Sequence, residues 1–193
     1  MFPTTIWTTI REAGAEDGQA LEAFAGRYRP AILEYLRRRG FKGHDAEDVC
    51  HDVFVRVFSG GVLAKADARR GRFRSLLLAV TTHVIKDRLR RNREVRVREV
   101  DPPQQEAEFD RSWARHLTER ALEQLREQGS PYYGVLEAHL VGVAQDRNKL
   151  WIARNKLAAL IRREVAFTCA THADYEAEIA YLASFLSRPR KKA

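Results

Sequence analysis

The chain has 193 residues, 45% of them hydrophobic, and a formal net charge of +8 at pH 7. This length allows one large or two small domains with a real hydrophobic core, and the longest apolar runs are far short of the roughly 20 residues that cross a bilayer. The two cysteines, Cys50 and Cys169, lack the spacing of a zinc or redox site. We therefore expect a cytoplasmic protein without membrane insertion, disulfides, metal or cofactor.

The net positive charge of the chain is concentrated in one segment. Residues 69–98 contain eleven Lys or Arg against Asp87 and Glu94, so the rest of the chain is close to neutral. The segment also keeps a helical stripe of apolar residues from Phe73 to Val84, which predicts a folded helix with a basic face. Such faces attract polyanions, and nucleic acid is our first hypothesis for the partner.

Apolar residues recur at helical spacing through the first part of the chain. The pattern predicts a helix from about Ala20 to Gly40, and a second helix that Asp45 caps and Gly60 ends. Residues 59–72 are predicted to form a loop. A third helix follows from Phe73 to about Arg93, apolar on one side and basic on the other.

A proline-containing linker separates this part from the next. Residues 97–107 lose the apolar periodicity and contain Pro102 and Pro103, which we expect not to continue a helix. We place a domain boundary here, between a unit at 1–96 and a unit at 108–187 with a basic tail at 188–193. No strand pattern is found, so the predicted fold is all-α with two helical domains. The helices predicted in the second unit are at about 109–125, 132–141, 150–161 and 175–186.

Two runs of residues are recognisable. Asp45-Ala46-Glu47-Asp48-Val49 is followed by Phe54 and Arg56, and a second run extends from Gly71 to Arg91. The first run resembles the start of the polymerase-binding helix of bacterial RNA polymerase sigma factors of the extracytoplasmic-function type. The second resembles the helix with which these factors melt the promoter and read the minus-ten element. The resemblance implies a region 2-like helical domain followed by a region 4-like helix-turn-helix domain.

Three further runs are similar to one subgroup of these factors. They are the opening Phe2-Pro3-Thr4-Thr5-Ile6-Trp7, the R-G-R-F-R-S run within 67–75, and F-D-R-S-W-A at 109–114. The resemblance thus extends over nearly the whole chain. It implies an alternative sigma factor that binds core RNA polymerase and promoter DNA and directs promoter recognition, DNA melting and transcription initiation. A separate anti-sigma factor is a further candidate partner.

The acidic second helix has three interpretations. The resemblance implies that it docks on the polymerase, where charged residues guide the two proteins together and apolar residues stabilise the contact. From the residues alone, helix capping with a solvated acidic face stays open, as does a catalytic metal held by paired carboxylates. His44, Cys50 and His51 do not complete a ligand set for such a metal. The residues that the resemblance assigns to polymerase binding are Asp45, Glu47, Asp48, Val49, Asp52, Phe54 and Arg56.

The cations of the basic segment can neutralise phosphates, which gives salt-dependent affinity without sequence information. The resemblance places base selection in the loop at 59–72 and at Thr82, His83 and Lys86, where pockets could hold unstacked bases. The cations predicted to contact phosphates are Arg69, Arg70, Arg72, Arg74, Lys86, Arg88, Arg90 and Arg91.

The second unit departs from the family pattern. Residues 143–148 stand where the family has a supporting helix and turn, and residues 149–163 align with its recognition helix. We therefore expect a truncated helix-turn-helix that lacks this support, in which Arg154 and Lys156 contact DNA. The aromatic residues predicted to lie in the core are Phe73, Trp113 and Trp151.

Three other functions stay open at this point. A degenerate sigma-like regulator or interaction module would bind polymerase or DNA without selecting promoters, which the truncated second unit motivates. A helical, non-specific nucleic-acid binder would never contact polymerase. A metal-dependent nuclease would lose cleavage on Asp48→Ala, but the sequence contains no phosphate loop, nucleophile elbow or zinc-protease helix. We therefore do not expect an enzyme.

Overall fold

The structure, a computed structural model, describes residues 18–59, 73–91, 98, 100–169 and 171–186. These residues form seven α-helices and no strand, which confirms the predicted all-α fold for this part of the chain. The opening motif at 2–7, most of the loop at 59–72 and the basic tail lie outside the described residues. The helices are α1 (Gly18–Arg38), α2 (Gly43–Ser59), α3 (Phe73–Arg91), α4 (Pro102–Glu127), α5 (Pro131–Leu140), α6 (Arg147–Ala166) and α7 (His172–Leu186).

The connection from α1 to α2 is a tight turn. Gly40 has a φ of 108°, in the left-handed region that glycine enters without steric cost. The Phe41 amide then donates to the Leu36 carbonyl at 3.1 Å, which closes the end of α1 as the sequence predicts. The prediction that Asp45 caps α2 is wrong, because the helix already begins at Gly43 and Asp45 lies in its first turn.

Helix α4 begins inside the predicted linker. Pro102 and Pro103 occupy its first positions, where a missing N–H costs nothing because those amides have no partner within the helix. Asp101 precedes them, and its carbonyl accepts a hydrogen bond from the Gln105 amide at 2.9 Å. The expectation that the two prolines keep residues 97–107 out of a helix is therefore wrong from Pro102 onward.

One hydrophobic core joins the helices on both sides of the predicted boundary. Tyr28 of α1 stacks on Trp113 of α4, with ring centroids 4.8 Å apart and planes 11° from parallel. Tyr35 meets Phe109 edge to face at 5.5 Å. The same cluster takes in buried side chains of α2, α3, α6 and α7. Phe73 and Trp113 are both buried, as predicted.

A buried network of charges ties α3 to α4 and α7. The Arg74 guanidinium lies 2.7 Å from Asp110 Oδ1, forms an ion pair with Glu178, and stands 4.6 Å from the Tyr181 ring centroid. The Tyr181 hydroxyl donates to Asp110 Oδ2 at 2.6 Å. Arg74 is only 4% exposed. The prediction that Arg74 contacts a DNA phosphate is therefore wrong for this structure, because carboxylates from two other helices already surround it.

We expect Arg74→Met to destabilise the fold strongly. The substitution removes the Arg74 cation from the buried carboxylates of Asp110 and Glu178, and breaking a buried ion pair in this way costs roughly 3–5 kcal/mol. The free energy of unfolding in urea measures the effect. The matched control is Arg38→Met, since Arg38 pairs with Glu34 at the surface of α1 and such pairs contribute about 1 kcal/mol or less. Equal losses for the two variants would contradict the stabilising role of the network.

Candidate functional site

Helix α2 presents an acidic face to solvent. Asp48, His51, Asp52 and Val55 follow one another at helical spacing, so they lie along one side of the helix, and we call these four residues the acidic face. The Asp48 side chain is 65% exposed, and Val55 is 46% exposed. A carboxylate-rich surface with an apolar residue at its end fits a basic protein partner.

Two of the predicted polymerase contacts lie elsewhere. Val49 and Phe54 are 0% and 8% exposed, and they belong to the apolar stripe that holds α2 in the core. The prediction of a partner contact through these two side chains is therefore wrong for this structure. Sequence reasoning missed Val55 on the acidic face. Its position seven residues after Asp48, outside the buried stripe, was a signal that could have found it.

The remaining predicted residues of α2 fix the helix against its neighbours. Arg88 of α3 binds Asp45 at 2.7 Å and lies 3.8 Å from Asp48, and the Asp45 carboxylate raises the pKa of Arg88. Glu47 forms ion pairs with Arg29 and Arg37 of α1. These ion pairs are partly exposed, so they orient α2 more than they stabilise it.

The basic face of α3 consists of His83, Lys86, Arg90 and Arg91, all of them exposed. Thr82, which was predicted to join them, is half-buried, and its hydroxyl donates to Gln105 at 3.4 Å. Arg91 donates to the Asp87 backbone carbonyl at 3.4 Å and remains on the surface. The structure thus brings together four of the predicted DNA-contacting side chains.

Asp87 neutralises part of this face. Arg56 of α2 donates to its carboxylate at 2.7 Å, His83 Nε2 lies 3.3 Å away, and Arg90 Nη1 lies 3.6 Å away. The hydrogen bond from Arg56 is the main cause that lowers the pKa of Asp87, so the carboxylate stays charged to more acidic pH than usual. Arg56, predicted to bind polymerase, therefore lies between α2 and the basic face.

Other cations of the basic segment are balanced by distant acids. Arg88 pairs with Asp45, Arg74 with Asp110 and Glu178, and Arg98 with Glu108. The count of charges along the sequence left these cations unpaired, because the acids that pair with them lie outside the basic segment. The predicted phosphate contacts Arg69, Arg70 and Arg72 lie outside the described residues.

Helices α5 and α6 pack against each other at the C-terminal end of α4 and are joined by residues 141–146. Gly142 has a φ of 86° in the turn, and the Asp146 side chain caps α6 by accepting a hydrogen bond from the Lys149 amide at 2.9 Å. Leu136 and Ala153 are buried between the two helices. The expectation that α6 lacks a supporting helix and turn is therefore wrong, since α5 packs directly against it.

The two cations predicted on α6 are exposed. Arg154 Nη2 lies 2.9 Å from His139 Nε2, and Lys156 Nζ lies 5.3 Å from the Tyr132 ring centroid, so both are oriented by α5. The prediction that Trp151 is a core residue is wrong, because its side chain is 66% exposed. The buried side of α6 is instead formed through Ala153 and Ile161.

Two further observations concern the described part of the chain. None of its helices is long and apolar enough to cross a membrane. It also contains no group of three His, Cys, Asp or Glu side chains that could hold a metal ion. Cys50 is buried and burial raises its pKa to about 12, whereas His51 next to it is exposed.

Residues 24–95 match the family model of sigma-70 region 2. Over these residues the chain is similar to sigma-70 region 2. The matched segment takes in most of α1 and all of α2 and α3, the helices that carry the acidic face and the basic face. Sigma-70 proteins are transcription initiation factors rather than enzymes, in agreement with the prediction that the chain is not an enzyme. Comparisons with curated proteins and with solved structures found no match.

If the basic face contacts DNA as predicted, we expect Asp87→Asn to strengthen binding of the chain to DNA. The substitution removes the carboxylate that neutralises Arg56, His83 and Arg90, so the basic face gains net positive charge. Affinity for a fluorescent DNA fragment should rise about two- to fivefold at low salt, and the gain should shrink as salt screens it. Fluorescence anisotropy measures the affinity and its dependence on salt.

The matched control is Glu127→Gln, which removes one exposed negative charge at the end of α4. A similar gain for Glu127→Gln would show that net charge, and not the basic face of α3, controls the affinity.

Proposed function

We propose that the protein is an alternative sigma factor of the extracytoplasmic-function type, which binds core RNA polymerase and directs promoter recognition, DNA melting and transcription initiation. The observation that carries this proposal is the sigma-70 region 2 match over the three helices that present oppositely charged faces side by side. The proposed location is the cytoplasm. An anti-sigma factor is the candidate regulator.

The acidic face supplies the polymerase contact in this proposal. Asp48 and Asp52 can attract a basic surface, while Val55 supplies the apolar contact that such an interface needs at its centre. Asp45, Glu47 and Arg56 hold α2 in position through their ion pairs with α1 and α3. Val49 and Phe54 are buried in the core, where their packing holds α2 in position.

The basic face supplies the minus-ten contact. Lys86, Arg90 and Arg91 are exposed cations on α3, and Thr82 and His83 stand beside them. The cations contribute affinity for phosphates, so base selection falls to Thr82 and His83 together with the loop at 59–72. Arg154 and Lys156 add a second DNA contact on α6, at the position of a recognition helix.

The test of the proposal is reconstitution with core RNA polymerase. Binding of the full chain to core polymerase is measured first, and transcripts from fragmented genomic DNA are then sequenced to map their starts. Tight binding together with a shared motif upstream of the starts supports the sigma factor. Binding without defined starts supports instead the degenerate regulator, and DNA binding without polymerase binding supports the non-specific nucleic-acid binder.

Charge reversal on the acidic face should separate the two contacts. We expect Asp48→Lys with Asp52→Lys to weaken binding to core polymerase at least about tenfold, because like charges then face each other across the interface. The affinity of the variant for DNA should stay the same or rise. The control is Glu119→Lys with Glu127→Lys, an equal change in charge at exposed positions of α4. If the control variant weakens polymerase binding equally, the proposed polymerase contact is contradicted.

Removal of cations from the basic face should have the opposite effect. Arg90→Ala with Arg91→Ala should lower DNA affinity about tenfold at low salt and reduce the slope of log affinity against log salt by about 1–2, as expected for one or two lost phosphate contacts. Polymerase binding should stay within twofold of the wild type. Arg111→Ala with Arg115→Ala on α4 is the matched control, and an unchanged salt slope in the α3 variant would refute the contact.

A further inference from the structure

A cavity of about 400 Å³ lies where the end of α1, the second half of α3 and the start of α4 meet. Ile85, Leu89 and Val100 form part of its lining. This volume falls at the small end of the roughly 300–1,000 Å³ typical of ligand pockets. The cavity is therefore large enough for a small organic molecule and is far larger than one water molecule.

A buried arginine lines this cavity. Arg39 is only 6% exposed, and its Nε and Nη1 are shielded from solvent without a hydrogen-bond partner. Oε1 of the buried Glu108 carboxylate is paired with Arg98, and its Oε2 has no hydrogen-bond partner. Among the described residues, no carboxylate lies within ion-pair distance of Arg39. A buried guanidinium without a counter-charge is costly, so a structure that retains one favours an anionic ligand beside it.

Further polar groups of the cavity suit the same ligand. Lys86 lines it from α3 and is exposed, so a second cation stands where the ligand would enter from solvent. The side-chain amide of Gln104 can donate a hydrogen bond, whereas Thr82 already donates to Gln105 and the Gln105 amide donates to the Val100 carbonyl. Asp101 is the carboxylate of the lining, and its exposure to solvent weakens its repulsion of an anion.

We propose that this cavity is a binding site for a phosphate group carried by a molecule of mononucleotide size, with Arg39 as the buried anchor and Lys86 at the entrance. Phosphate is favoured because guanidinium donors bind its oxygens with charge-assisted hydrogen bonds. Ile85, Leu89 and Val100 would contact the uncharged part of the ligand. A free nucleotide and the backbone of a nucleic-acid strand carry the same group, and only the second source depends on the proposed function.

The test measures binding to the full chain alone, without polymerase, so its failure is distinguishable from failure of the proposed function. The probes for isothermal titration calorimetry are AMP, adenosine, and a ten-nucleotide DNA strand without a terminal phosphate. We expect AMP to bind at least about tenfold more tightly than adenosine, since the phosphate contributes charge-assisted hydrogen bonds. Arg39→Met should remove this difference, and Lys86→Gln should reduce it.

The matched control is Arg37→Met, which removes an exposed arginine two residues earlier on the same helix. It should bind AMP within twofold of the wild type. A melting temperature of Arg39→Met at or above that of the wild type shows that the variant is folded and that the fold does not depend on a counter-charge for Arg39. A clear fall in that temperature would mean that Arg39 is structural, and would overturn the proposal.

The two sources of phosphate give different results. AMP binding that depends on Arg39 supports a free nucleotide as the ligand. Binding of the DNA strand alone, with the same dependence on Arg39, supports a strand phosphate. If neither probe binds, or if Arg39→Met binds both as the wild type does, the cavity is not a phosphate site.

Discussion

The desolvation of Arg74 constrains how the rest of the chain packs. A guanidinium that loses its water at the start of α3 requires carboxylates around it, and α3 itself has none nearby. Asp110 of α4 and Glu178 of α7 meet that requirement. The two helices are thereby fixed against α3, and the Tyr28 and Trp113 rings stack in the core. The arrangement of the C-terminal helices and the burial of this one charge therefore depend on each other.

The same kind of pairing decides which cations remain for a partner. Arg88 and Arg98 are matched by acids from α2 and α4, and Asp87 draws Arg56, His83 and Arg90 together on the surface. Lys86 and Arg91 are left without an ion pair among the described residues. The exposed basic face is thus narrower than the basic segment, and it borders the acidic face at Arg88. In the function we propose, two faces of opposite charge on neighbouring helices would bind a protein and DNA side by side.

Helical periodicity predicted most of the fold because it depends on residues a few positions apart. The all-α class, the end of α1 at Gly40 and the burial of Phe73 followed from such local patterns. The errors have a different origin. Pro102 starts a helix instead of preventing one, since proline fits the first turn, and Trp151 lies beside the buried stripe of α6 rather than in it. The partners of Arg74 and Arg88 could not be predicted, because ion pairs between distant segments leave no trace in local spacing.

Two buried arginines of the chain make an instructive contrast. Arg74 and Arg39 are 4% and 6% exposed, so both have lost nearly all their water. Carboxylates of α4 and α7 surround Arg74, whereas Arg39 faces a cavity and forms no ion pair within the described structure. A buried charge that only stabilises the fold is expected to have its counter-charge within the protein, as Arg74 does. Arg39 has no counter-charge within the described structure, and it lines a cavity together with Lys86. This arrangement is expected where a ligand supplies the counter-charge.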